Sequence, residues 1–151
     1  MNFVPIPKNA SMAVRDVLPV VDDHKRASEI EGPRWAIVRD PFDRMASAYE
    51  FARTHYSPPA KACLAGATSF AQFLRLPNNT LTRSQSWWLD APVELLLRFE
   101  DLPDAFERHF GIELPVVNAS RGSVEYDDET RALVIERYAE DFTRFGYVAA
   151  L

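Results

Sequence analysis

The sequence predicts an α/β fold, a three-layer arrangement in which a small central parallel sheet is covered by helices. Three observations carry this expectation. Residues 35–38, Trp-Ala-Ile-Val, form an unbroken apolar run, as strands buried on both faces of a parallel sheet do. Short apolar runs at 3–6, 35–38 and 94–99 are each followed by a turn and then a helical pattern, the alternation that builds parallel sheets. With 151 residues, 47% hydrophobic and 26% charged, the chain fits a single domain over 1–151 with a real core.

The elements follow in order. Residues 3–6 suit a strand, and Pro5 makes it short or places it at an edge. Pro7 then keeps Ile6 out of the helical region. Met12, Val14, Val17 and Leu18 give residues 10–18 a helical face that Pro19 ends. The polar stretch 19–34 reads as a loop or short surface helix. After the strand at 35–38, Asp40 is placed to cap a helix with Pro41 at its first position. Phe42, Met45, Ala46, Tyr49 and Arg53 fall on one stripe of that helix, and Ser47 lies about 140° from Phe42, away from the stripe.

Residues 56–59, Tyr-Ser-Pro-Pro, break the helix, and 60–68 read as an adaptable connection. Thr68 or Ser69 caps a short helix with Phe70, Phe73 and Leu74, ended by Pro77. A further helix is expected over 81–89, bearing Arg83, Gln85, Trp87 and Trp88, where either tryptophan could stack on a ring or simply join the core. Residues 94–99 are the third strand, followed by a helix at 102–110 that Gly111 stops. Residues 114–117 suit a fourth strand or an extended link. In the last helix, starting at Asp127 or Asp128, Val134, Tyr138, Phe142 and Phe145 form a core stripe, and Gly146 ends it.

Two of these strand-to-helix turns carry cations, Lys8 in the first and Arg39 in the second. The first backbone N–H groups of a helix lack partners and its dipole is positive there, so such a turn suits phosphate or sulfate. Other chemistries find less support. A net charge of −5 without a basic run disfavours nucleic acid. Cys63 is alone and no metal-ligand spacing is present, so no metal is expected. No apolar run reaches the roughly 18 residues of a membrane helix. The start of the chain shows neither a signal peptide nor an anchor, which points to the cytoplasm.

The runs Pro7-Lys8-Asn9-Ala10-Ser11 and Val38-Arg39-Asp40-Pro41-Phe42-Asp43-Arg44, continuing to Ser47 and Tyr49, resemble the 5′-phosphosulfate and 3′-phosphate motifs of sulfotransferases, above all the carbohydrate O-sulfotransferase branch. Arg98-Phe99-Glu100-Asp101-Leu102, Asn118-Ala119-Ser120, and the closing Tyr138, Asp141-Phe142 and Phe145-Gly146-Tyr147 are similar to that branch too. The resemblance implies a minimal P-loop nucleotide-kinase-like fold and the cofactor 3′-phosphoadenosine-5′-phosphosulfate, with adenosine 3′,5′-bisphosphate as product. It implies that Lys8 assists transfer and that Asn9, Ala10, Ser11, Met12 and Ala13 hold the 5′-phosphate. Arg39 and Ser47 would take the 3′-phosphate, with Ser120 and Arg121 in the loop over the nucleotide. The expected partner is a hydroxyl acceptor on a carbohydrate or glycolipid.

His24, the one histidine between the two motifs, stands as the candidate base, with Glu29, Glu31 and His55 behind it; a solvated histidine in a charged loop is the alternative. Two rival functions remain. A nucleotide kinase would need a glycine-rich Gly-x-x-x-x-Gly-Lys-Ser/Thr loop, which this chain of five glycines lacks. A catalytically silent relative binding a nucleotide, a glycan or a protein partner fits the short length.

Overall fold

Three short parallel strands order the first half of the architecture. The computed structural model describes residues 1–19, 25–115 and 124–150. In chain order these hold β1 (Asn2–Val4), α1 (Ser11–Arg15), β2 (Arg34–Val38), α2 (Pro41–Thr54), α3 (Pro58–Leu64) and α4 (Phe70–Arg75). There follow α5 (Gln85–Trp88), β3 (Leu95–Arg98), α6 (Asp104–Phe110), α7 (Asp128–Arg137) and α8 (Ala139–Phe145). Single 3-10 turns occupy Ala27–Glu29 and Phe99–Asp101. The chain divides into two compact units, Met1–Arg39 with Gln85–Ala119 and Asp40–Ser84 with Ser120–Leu151.

The first unit contains the sheet, in the order β1-β2-β3 with both pairings parallel. The register aligns Phe3 with Trp35 and Leu95, and Val4 with Ala36 and Leu96. Because side chains alternate across a strand, Phe3, Trp35, Ile37 and Leu97 share one face. There they pack with Ala13 and Val14 of α1 and Ala105 and Phe106 of α6. Trp35 is the hub, its ring centroid 4.5 Å from Phe3 and 4.6 Å from Phe110. On the opposite face Val4, Ala36 and Val38 are also buried, as the apolar run at 35–38 requires.

The second unit is helical. Asp40 caps α2 as expected, its carboxylate accepting the Phe42 N–H at 2.9 Å with Pro41 at the first position. Phe42, Met45, Ala48, Tyr49 and Ala52 of α2 pack with Phe73 and Leu74 of α4, and with Val134, Tyr138 and Phe142. This is the stripe read at the end of the sequence, although the helix carrying it breaks at Tyr138 into α7 and α8. Gly146, at φ 71°, closes α8 in the left-handed region.

Three expectations change. Residues 58–64 form α3 instead of a loose connection, because Ser57 caps it, Pro58 and Pro59 open it, and its alanines and lysine favour helix. The helix expected over 81–89 shrinks to α5. Residues 80–83 form a separate turn ahead of it, in which Asn79 Oδ1 accepts the Leu81 and Thr82 N–H groups at 2.9 and 3.0 Å and the Asn79 carbonyl accepts the Arg83 N–H at 3.0 Å, and regular helix begins only at Gln85. Helix α1 is five residues long and not nine. Of the two alternatives read for 114–117, the described residues 114–115 are not in a strand, and 116–117 lie outside the described residues.

Candidate functional site

Within the first unit, the carboxyl ends of all three strands meet, which is where ligands bind in open parallel sheets. After β1 the chain turns at Pro7-Lys8, closed by the Asn9 N–H donating to the Ile6 carbonyl at 3.2 Å. Pro7 supplies the fixed φ of the first turn position, and Lys8 stands at the second with φ 69°. That region normally takes glycine and costs an L residue about 1–2 kcal/mol. Ala10, at φ 66°, is left-handed as well. The turn is therefore held from outside itself.

Arg39, directly after β2, supplies one of those holds. Its Nη1 donates to the Lys8 carbonyl at 2.9 Å, and its guanidinium carbon sits 3.9 Å from the centroid of the Phe99 ring, just past the end of β3. A second hold comes from Gln85, the first residue of α5. Its Oε1 accepts both the Arg39 backbone N–H at 2.9 Å and the Asn9 Nδ2–H at 2.8 Å, while its Nε2 donates to the Arg39 carbonyl at 2.8 Å. Asn9 Nδ2 also donates to the Ile37 carbonyl at 2.8 Å. Asn9 and Gln85 are wholly buried and Arg39 is 2% exposed.

Lys8 is the half-open member of the cluster. Burial, and after it the neighbouring Arg39 charge, lower its pKa from the usual lysine value. Both influences oppose the ammonium form, and both would be relieved by an anion. The cluster can thus hold a negatively charged group on an amine backed by a guanidinium.

The structure brings together Lys8, Asn9 and Arg39 from the residues singled out by sequence. Ser11 opens α1 and is half-buried, Met12 is exposed, and Ala13 lies in the core. A five-residue helix whose Ala10 cap makes no side-chain bond adds little field, so the weight rests on the two cations. Ser47 belongs to the second unit, where it is 7% exposed on a helix buried nearly all round. His24, Ser120 and Arg121 lie outside the described residues.

The lesser candidates have local partners. Glu29 accepts the Arg26 N–H at 2.8 Å. His55 Nδ1 is 2.8 Å from Ser57 Oγ, with its ring stacked on Phe51 and Tyr56. Trp88 is buried, whereas the half-buried Trp87 ring carries the Arg26 guanidinium 4.1 Å from its centroid.

Gln85 is the site residue that sequence reasoning missed. A glutamine beside two tryptophans carries no signal of burial, and only its distance from Arg39 along the chain, 46 residues, closed by the fold, reveals it. Among the described residues, no group of three or more His, Cys, Asp or Glu is placed to hold a metal ion, and no helix is long and apolar enough to cross a membrane. No protein-family model, curated protein or solved structure matches the chain.

Proposed function

We propose that this chain is a sulfotransferase of minimal P-loop type, which moves the sulfuryl group of 3′-phosphoadenosine-5′-phosphosulfate to an acceptor hydroxyl, as of a carbohydrate or glycolipid. One observation carries the reading. The two sequence runs that resemble the nucleotide motifs, 31 residues apart, converge at neighbouring strand ends through the Arg39 contact to Lys8. The residues fit such a nucleotide in charge, since an amine and a guanidinium stand together where a polyanion would relieve both.

In this reading the nucleotide, when bound, supplies the activated sulfuryl group. Lys8 neutralises charge developing on the bridging oxygen as that bond breaks, a preorganised electrostatic contribution. The backbone around Asn9 and Ser11 receives the 5′-phosphate. Arg39 holds the Lys8 turn in its left-handed form and adds positive potential.

A catalytically silent binding module is the second reading. The burial of Arg39 favours it, because the guanidinium already spends one nitrogen on the Lys8 carbonyl and one face on Phe99. Calorimetry with adenosine 3′,5′-bisphosphate in metal-free buffer tests nucleotide uptake. Transfer of radiolabelled sulfate to a panel of glycans and glycolipids then separates enzyme from module. Uptake with transfer that Lys8→Ala abolishes is the result expected of the enzyme. Uptake without transfer supports a nucleotide-binding module, and no uptake overturns the enzyme.

A further inference from the structure

Residues Asp40–Ser84, which belong to the second unit, are inserted between β2 and β3, so the chain leaves the first unit after Arg39 and returns to it at Gln85. Those two residues are bound to each other. Gln85 meets the Arg39 residue at both main-chain polar groups, Oε1 taking the N–H and Nε2 giving to the carbonyl, as a neighbouring strand would. The same Oε1 takes the Asn9 amide. One side chain therefore ties the neck of a long excursion to both cation-bearing turns.

Resting on the nucleotide reading above, we propose that Gln85 is the positioning residue of the anion site, fixing the Arg39 residue and Asn9 together so that Lys8 is presented at a set distance from the guanidinium. Two routes lead from its amide to the Lys8 turn. One passes through the Arg39 residue and its guanidinium to the Lys8 carbonyl; the other passes through Asn9, which also grips the Ile37 carbonyl. A left-handed lysine is a strained conformation that persists only where its surroundings over-determine it. Asn9 Oδ1, buried and without a hydrogen-bond partner among the described residues, shows that Asn9 is oriented by its donor side, the side that Gln85 and Ile37 receive. An alanine or leucine in place of Gln85 would remove its bonds to the Arg39 N–H and carbonyl at once.

The test uses the whole chain and adenosine 3′,5′-bisphosphate as probe, read by calorimetry. Gln85→Met keeps the side chain's length and removes its polar atoms, and binding is expected to weaken by about tenfold or more, the scale of one or two misplaced charged contacts. Gln85→Glu makes the loss titratable. When protonated, the introduced carboxyl again offers one acceptor to the Arg39 N–H and one donor to its carbonyl; when ionised, it repels that carbonyl. The ratio of variant to wild-type affinity, in which the probe's own titration cancels, should rise toward one as pH falls and drop about tenfold or more as it rises.

Wild-type affinity in a folded Gln85→Met, or a ratio for Gln85→Glu that does not change with pH, overturns the positioning role and leaves the nucleotide reading standing. Should Gln85→Met fail to fold, the pH series in Gln85→Glu decides alone. Absence of binding by the wild-type chain overturns the nucleotide reading, and this role with it.

Discussion

Arg39 and Arg44 come from the same short run of sequence, and both are buried, 2% and 1% exposed, yet they face opposite electrostatic situations. Arg44, in the second unit, donates to the carbonyls of Arg83 and Leu81 at 2.9 and 3.4 Å. Burial lowers its pKa, and the negative sides of Tyr138 and Asp141 act against that. Asp141 is itself wholly buried. In the first unit, by contrast, Arg39 stands beside another cation, Lys8, and disfavours its charge. A buried arginine answered by a carboxylate within its own core is scaffold. One set against a lysine at the ends of three strands raises the local positive potential, and the proposed anion site rests on that.

The largest expected effect would break the scaffold half of this contrast. Arg44→Met removes the donors to two loop carbonyls and a buried positive charge that interacts with the buried Asp141. A loss of about 3–5 kcal/mol in unfolding free energy is expected, measured by urea denaturation. A loss within experimental error would place Arg44 outside the scaffold.

Tyr138→Phe probes the same network less severely. The Tyr138 hydroxyl donates to the Thr82 carbonyl at 2.6 Å, so its removal should cost about 1–3 kcal/mol. Burial pushes the phenol from 10.0 up to about 12. The folded chain thus keeps a proton that the unfolded chain releases first, so the stability this proton brings is complete below pH 10.0 and is lost as pH rises to about 12. Wild-type stability should fall across that window at up to about 1.4 kcal/mol per pH unit, and Tyr138→Phe should lack the slope. An equal slope in both proteins assigns the alkaline loss to another group.

The smallest effect on stability sharpens the other half. Folding lowers the Lys8 pKa, so charged Lys8 opposes folding at neutral pH, and the opposition is relieved as pH rises through its folded value toward 10.5. Lys8→Met should therefore leave the chain as stable as wild type or slightly more so at pH 7. Its melting temperature should also lack the alkaline rise. A clear drop in melting temperature would show that the ammonium is held by attraction, against the reading of a like-charge pair awaiting an anion.

Much of this contrast was legible in the sequence. The apolar run at 35–38 could only be a strand buried on two faces, and Asp40-Pro41 could hardly do other than start a helix. The spacing of Val134, Tyr138 and Phe142 placed the core of the second unit before any coordinates. What escaped were the places where side chains replace backbone. Asn79 caps a turn of its own over 80–83, and periodicity along the chain does not separate that turn from the short helix that follows it. Ser47 was expected to be set aside from the apolar stripe, and it is buried all the same, on a helix most of whose positions are buried.

The sequence by itself determined the local chemistry: which runs are strands, which residue caps α2, and that a lysine and an arginine each follow a strand. Periodicity, caps and proline are properties of neighbours along the chain, so they can be read there. Only the tertiary structure decided that Arg39 reaches the Lys8 turn and that Gln85 joins the two turns. Those facts depend on parallel pairing bringing strand ends side by side across dozens of residues, and on which buried polar groups then find one another.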